Sequence, residues 1–259
     1  KLATDEVASG RTSELEPLLF ARNGSRSAGA GSPSAWPWSS SVNQPAHGAV
    51  AWAGRSAEDL LAIMSRRDSR TLMVTPEWLA AAGPPAEWLP APDLLQIEGL
   101  DDLEAVAAAF DAWLPLSLVG PLTWVDGLDP RDPFTEVDVE AGLLAGRTTA
   151  TSGPRLHLSV SGATIGEVTE AQPPLRVRVR VEAPSWIPLT DAVLYGPGAT
   201  VMASWSLDDT GEAVRLEEEL ELRVPVAWLV LAAWGEEAAP PWLLEPAWAL
   251  TSPVWLDQP

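Results

Sequence analysis

The sequence predicts an α/β region running to about residue 150, followed by a β-sandwich-like domain. Three observations carry this. Between residues 56 and 150, short apolar runs alternate with stretches at helical spacing, the rhythm of strand–helix layers. After Gly146 the spacing falls to period two, with turn residues between short runs and no further helical pattern. The length of 259 residues, 46% apolar, is enough for one large domain or two ordinary ones.

The organisation predicted is an N-terminal segment over residues 1–55, the α/β region over 56–150 and the β domain over 151–259. Leu18, Leu19 and Phe20 form an apolar patch suited to a short strand. From Asn23 to Gly48 the composition turns to Ser, Gly, Pro, Ala and Asn, a loop length that in compact domains usually serves function. Ser56 and Asp59 resemble a capping box ahead of Leu60, Leu61, Ile63 and Met64. Thr71 to Val74 reads as a buried strand stopped by Thr75-Pro76, and Asp93 to Glu98 as a second strand. Leu103, Val106, Ala107, Phe110, Trp113 and Leu114 recur at helical spacing and predict a helix over about 100–114. A strand over 116–119 follows, then a helix near 136–145 with Thr135 as N-cap and Gly146 as its C′ residue.

In the second half, Leu175, Val177, Val179 and Val181 alternate with Arg176, Arg178, Arg180 and Glu182, the signature of a half-exposed strand. Leu156, Leu158 and Val160 alternate around His157 and Ser159 in the same way. Further strands are predicted at 192–195, 200–205, 213–224 and 228–234, separated by turns such as Gly196-Pro197-Gly198 and Asp208-Asp209-Thr210-Gly211.

Charge and composition exclude several classes. Sixteen Lys+Arg against 36 Asp+Glu leave a net charge of −20, which opposes binding to nucleic acid or to anionic lipid. No cysteine is present, so disulfides and thiolate metal sites are ruled out. No apolar run approaches the ~20 residues of a membrane helix, which predicts a soluble chain without a transmembrane segment. The sequence starts at Lys1, and removal of an export signal would account for that, as would proteolysis; the reading leans towards export.

No catalytic set emerges. His47 and His157 stand far apart and each lacks a nearby acid–base partner in sequence. Asp126, Asp129 and Asp132 recur every third residue in a Gly/Pro loop, where oxygen ligands would suit Ca²⁺ or another divalent metal, with His47 as a further ligand. The same spacing is ordinary turn chemistry. Gly29-x-Gly31 lacks the third glycine of a dinucleotide loop, and nothing else points to a small-molecule substrate.

The 14 tryptophans are the most unusual feature of the composition. Trp205 and Trp228 fall in predicted strands and are expected in the core. Trp36, Trp38, Trp78, Trp88, Trp124 and Trp242 stand beside Pro, Gly or loop residues. They are the candidate partner-binding residues, since clustered exposed indoles mark protein interfaces or, less commonly, sugar platforms; ordinary packing would account for them equally well.

Residues 140–160, with Ala145-Gly146-Arg147-Thr148 and then Thr151-Ser152-Gly153-Pro154, resemble a stretch of the polymerase and histidinol phosphatase (PHP) superfamily. The branch is that of CehA/McbA-like metallohydrolases, with "ala-gly-arg-thr" and "thr-asn-gly-pro" before a C-terminal β domain. Residues 247–257 resemble its terminal "ala-ile-thr-asn-pro-ile-tyr-val-asp", and the likeness spans roughly residues 56–259. It implies a partial or degenerate α/β barrel whose family members hold two or three metal ions for hydrolysis. Yet the family's "asn-his-pro" is here Val74-Thr75-Pro76, and its "gly-ser-asp-ser-his" is Gly120-Pro121-Leu122-Thr123-Trp124. Thr75, Leu122 and Trp124 thus occupy ligand positions, and neither Leu nor Trp coordinates a divalent cation. The expectation is a metal-free, non-catalytic relative that serves as a binding or structural subunit beside other protein subunits. The alternatives are a phosphoesterase-like hydrolase with an unrecognised metal site and a glycan-binding module.

Overall fold

A computed structural model of the chain describes residues 23–24, 34–36, 71–76, 79, 92–128, 134–170, 172–208, 211–241 and 243–257. The chain divides into two compact units, residues 1–96 and 97–259. The described residues are mostly strand.

In the first unit, β1 (Asn23–Gly24) pairs antiparallel with β2 (Ser34–Trp36), which pairs antiparallel with β3 (Thr71–Val74). β3 runs parallel to β4 (Leu94–Gln96), with Met73 beside Leu94 and Val74 beside Leu95. Val74 and Leu95 are fully buried. The predicted stop after Val74 holds: Thr75 C=O accepts the Leu79 N–H at 3.1 Å, and Pro76 opens that turn, where its missing N–H costs nothing. The predicted strand at Leu18–Phe20 and the helix begun at Ser56 lie outside the described residues.

The second unit begins with a 3-10 turn, Leu100–Asp102, leading into α1 (Leu103–Asp111). Val106, Ala107 and Phe110 are buried as their spacing predicts. The helix ends sooner than expected, and Trp113 takes a left-handed φ of 56° beyond it. Then come β5 (Ser117–Val119), β6 (Leu122–Val125) and α2 (Glu136–Leu144). Thr135 caps α2 in a reciprocal box: its hydroxyl accepts the Asp138 N–H, and its own N–H reaches the Asp138 carboxylate at 2.7 Å. Hydrogen bonds from the Thr135 side chain and backbone hold the Asp138 carboxyl below the usual aspartate value. Gly146 ends the helix at φ 70°, as the C′ residue should.

Strands follow without a further α-helix among the described residues: β7 (Thr148–Thr151), β8 (Arg155–Val160), β9 (Ala163–Thr164), β10 (Val168–Glu170), β11 (Leu175–Glu182) and β12 (Asp191–Gly196). The remainder are β13 (Thr200–Ser206), β14 (Val214–Leu222), β15 (Trp228–Ala239), β16 (Leu243–Thr251) and β17 (Val254–Asp257). One sheet runs β13–β12–β15–β16–β7–β6, with β17 taking over from β16 beside the start of β15 and carrying β10 in parallel. The other runs β14–β11–β8–β9. Their inward side chains meet in one core: Leu156, Leu158 and Val160 from β8, Val177 and Val179 from β11, Leu194 from β12, Leu229 and Leu231 from β15. The period-two patterns of β8 and β11 place those residues, and this two-sheet half fits the sandwich-like expectation.

The larger sheet is covered on its other face as well. Phe110 of α1 meets Trp228 and Trp255 edge-on, each at 5.6 Å between ring centres, and Trp113 stacks on Trp255 at 5.5 Å. Asp111 accepts the Trp228 indole N–H and the Gly198 N–H, both at 2.9 Å. Burial on both faces explains why the first six residues of β15 are all apolar and buried, and it bears out the core position expected of Trp228. Trp205 is only half-buried, at the rim of the core.

The expected α/β barrel is absent among the described residues, and local topology gives the reason. A barrel of that type needs strand–helix–strand units whose strands run parallel. Here α2 joins β6 to β7, yet those two strands pair antiparallel, and β7 continues antiparallel into β16. The sequence reading also missed β6 and β7 as strands, since neither shows clean alternation of apolar and polar types. Among the described residues no helix is long and apolar enough to cross a membrane.

Candidate functional site

The residues that carried the sequence resemblance come together in space. β7 and β16 are neighbours, and the segment around Thr148–Pro154 is stitched to that around Trp248–Pro253. The Ser252 N–H donates to Thr148 C=O at 2.8 Å, the Ser152 N–H to Trp248 C=O at 2.9 Å, and the Trp248 N–H to the Ser152 hydroxyl at 2.9 Å. Thr151 donates its hydroxyl to Pro154 C=O at 2.7 Å and accepts the Gly153 N–H at 2.8 Å. The Thr151 and Ser152 hydroxyls are thus engaged in holding backbone, and these two motif positions work as fasteners.

The surface beside them is built on β6. Gly120 opens it: a Cβ there would lie 3.0 Å from the Thr151 nitrogen, tighter than most side-chain contacts, so glycine eases this close approach to β7. The Gly120 N–H then donates to the Thr123 hydroxyl at 3.2 Å. Along β6, Thr123 and Val125 are half-buried while Leu122 and Trp124 point outward, 57% and 45% exposed. The Arg155 guanidinium of β8 lies 5.4 Å from the Trp124 ring centre, and its Nη2 reaches the Asp126 carboxylate at 3.5 Å. Asp126 is itself placed by its N–H on Arg147 C=O at 2.8 Å. An exposed indole, a leucine and an arginine held by a carboxylate thus share one face at the edge of the larger sheet.

Of the predicted partner-binding tryptophans, Trp124 is the one whose side chain is described, and it is exposed as expected. Trp36 is placed as a residue of β2 opposite Thr71, with its side chain outside the described residues. Trp38, Trp78, Trp88 and Trp242 lie outside the described residues altogether. So do His47, Asp129 and Asp132, leaving Asp126 as the one placed member of the proposed cation set, where it serves Arg155. His157 sits on the outer face of the smaller sheet, its Nε2 3.3 Å from Glu182. Thr75 is half-buried in the first unit. Among the described residues no three His, Asp or Glu side chains gather as metal ligands would.

Two exposed tryptophans escaped the sequence reading. Trp113, at 54%, fits the helical spacing of α1, and what takes it off the buried face is the left-handed turn after Ala112. Trp186 stands beside Ile187 and Pro188 in the β11–β12 connection, where the flanking prolines were the available signal.

No family model, no curated protein and no solved structure matches the chain. The likeness to the PHP superfamily therefore rests on the short motifs alone.

Proposed function

We propose that this chain is a non-catalytic binding or structural subunit of a larger protein assembly, a degenerate PHP-like scaffold whose metal positions hold Thr75, Leu122 and Trp124. The observation that carries the reading is the Trp124 indole, exposed on an edge strand with Arg155 over its ring. Tryptophan and arginine are the residues most enriched at the energetic centres of protein interfaces. A hydrolytic role would need oxygen or imidazole donors at the last two positions, and an isobutyl group and an indole supply neither.

The test is native mass spectrometry of the protein purified gently from its source without chelators, repeated for the Leu122→Ser/Trp124→Ala variant. The wild-type chain should fly within a larger assembly. The variant should lose it, since truncating a central Trp costs about 2 kcal/mol or more, roughly 30-fold in affinity. Both side chains are exposed, so the variant should melt within a degree or two of the wild type. A monomer carrying bound metal ions would overturn the proposal and return the hydrolase reading.

A further inference from the structure

A sheet edge is a row of unpaired N–H and C=O groups that accepts another strand unless something blocks it. The described edges of the 97–259 unit differ in how they are protected. β14 carries Glu217, Glu218, Glu219 and Glu221. β6, β9 and β10 are four residues long or shorter. β13 has seven residues, Thr-Val-Met-Ala-Ser-Trp-Ser, with neither a charge nor a proline. Among the described residues it pairs on one side only, with β12.

The register shows which backbone groups are left over. Ala192 stands opposite Trp205 and Leu194 opposite Ala203, and the Leu207 N–H donates to Thr190 C=O at 2.7 Å. In an antiparallel ladder that phase turns the N–H and C=O of Ala203 and Trp205 towards β12, and those of Ser204 and Ser206 outward.

We propose that β13 pairs antiparallel with β13 of a second copy of this chain, about a two-fold axis at Ser204. The register follows from the outward groups. Ser204 meets its own counterpart as a hydrogen-bonded pair, and Ala203 of each copy falls opposite Trp205 of the other. Those flanking positions are the non-hydrogen-bonded ones, where side chains approach most closely. Ala203 and Trp205 both lie partly buried against the sandwich core, so a small residue covers the half-exposed indole at both ends of the contact. The contact is self-complementary, as a two-fold interface must be.

Charge selects this edge over the others. A chain of net charge −20 repels its copy, and joining two β14 edges would set glutamates against glutamates. β13 brings two copies together with no carboxylate in either strand. Seven residues of strand pairing fall short of the ~1,600 Å² typical of a stable complex, so the dimer forms reversibly at high protein concentration. It leaves the Trp124 surface free, because β6 is at the opposite end of the same sheet.

Sedimentation equilibrium of the full chain, from micromolar to near-millimolar concentration and at low and high salt, tests the proposal. The wild type should show a monomer–dimer equilibrium that tightens as salt screens the net charge. Ser204→Glu places two carboxylates across the axis and should weaken the dimer about fivefold or more, while Ser204→Thr keeps it. Ser204 is exposed, and thermal melts of the two variants establish that the monomer is intact. A chain that stays monomeric throughout, a dimer indifferent to Ser204→Glu, or one that dissociates as salt rises would each overturn the assignment.

Discussion

Thr148 and Ser252 stand 104 residues apart in the chain and share a buried hydroxyl–hydroxyl hydrogen bond of 2.7 Å. Both side chains are fully buried. Ser252 also accepts the Leu118 N–H at 2.9 Å and sends its own N–H to Thr148 C=O, so one serine ties β5, β7 and the break between β16 and β17. Ser252→Ala would strand the Leu118 N–H in a dry interior and remove the partner of Thr148. A buried donor left unsatisfied costs about 1–3 kcal/mol. Urea unfolding should show that loss, and adding Thr148→Val should cost less than the sum of the two single changes. Full additivity would mean that the two hydroxyls do not act together.

Gly142 offers a case in which packing and helix propensity pull in opposite directions. It lies inside α2, where replacing Gly with Ala ordinarily stabilises by about 1 kcal/mol. A Cβ at this position would sit 2.3 Å from Val125 Cγ1, far inside contact distance. Val125 is β-branched and has few rotamers with which to yield, and overpacking of this kind costs about 1–3 kcal/mol. Gly142→Ala should therefore lower the melting temperature, and Val125→Ala in the same chain should recover part of the loss. A Gly142→Ala protein more stable than wild type would show that α2 slides on β6 without strain.

How far the sequence carries depends on the reach of each interaction. The period-two faces of β8 and β11 and the N-cap at Thr135 are local, and they stand where the sequence put them. The turn from helix to left-handed backbone at Trp113 was hidden, because its spacing matches the buried face of α1. β6 escaped notice for a related reason: Leu122, Thr123, Trp124 and Val125 alternate in exposure while hardly alternating in polarity. The role of Thr148 and Ser252 is set across 104 residues, and one hydroxyl in a motif looks like any other until its partner is placed. Of the candidate site, Leu122 and Trp124 were singled out in the sequence, through the likeness of residues 120–124 to a PHP motif. Arg155 and Asp126 as their neighbours were not, since β8 and the β6–α2 loop meet only in the folded unit.

The outer face of the smaller sheet contributes to the pH response. Glu182 receives Arg180 Nε at 2.9 Å and Nη2 at 2.7 Å on one oxygen, while His157 Nε2 lies 3.3 Å from the other. Arg180 is drawn in turn towards Glu217 on the neighbouring strand. Partial burial of Glu182 raises its pKa, but the bonds from Arg180 and His157 outweigh that and hold the carboxyl below its ordinary value of 4.5. A carboxylate whose pKa is lower in the folded chain binds its proton first in the unfolded one. Its contribution to stability is therefore complete above the ordinary value and is lost as pH falls through the folded value. Glu182→Gln should be less stable than wild type at neutral pH, and the gap should close as the medium is acidified from about pH 7 to about pH 3. The acidic residues away from this cluster titrate alike in both proteins, so the difference between the two urea-midpoint curves reads Glu182 together with the Arg180 and His157 it touches. Curves that stay parallel to the acid limit would show that Glu182 gains nothing from Arg180 and His157 on folding.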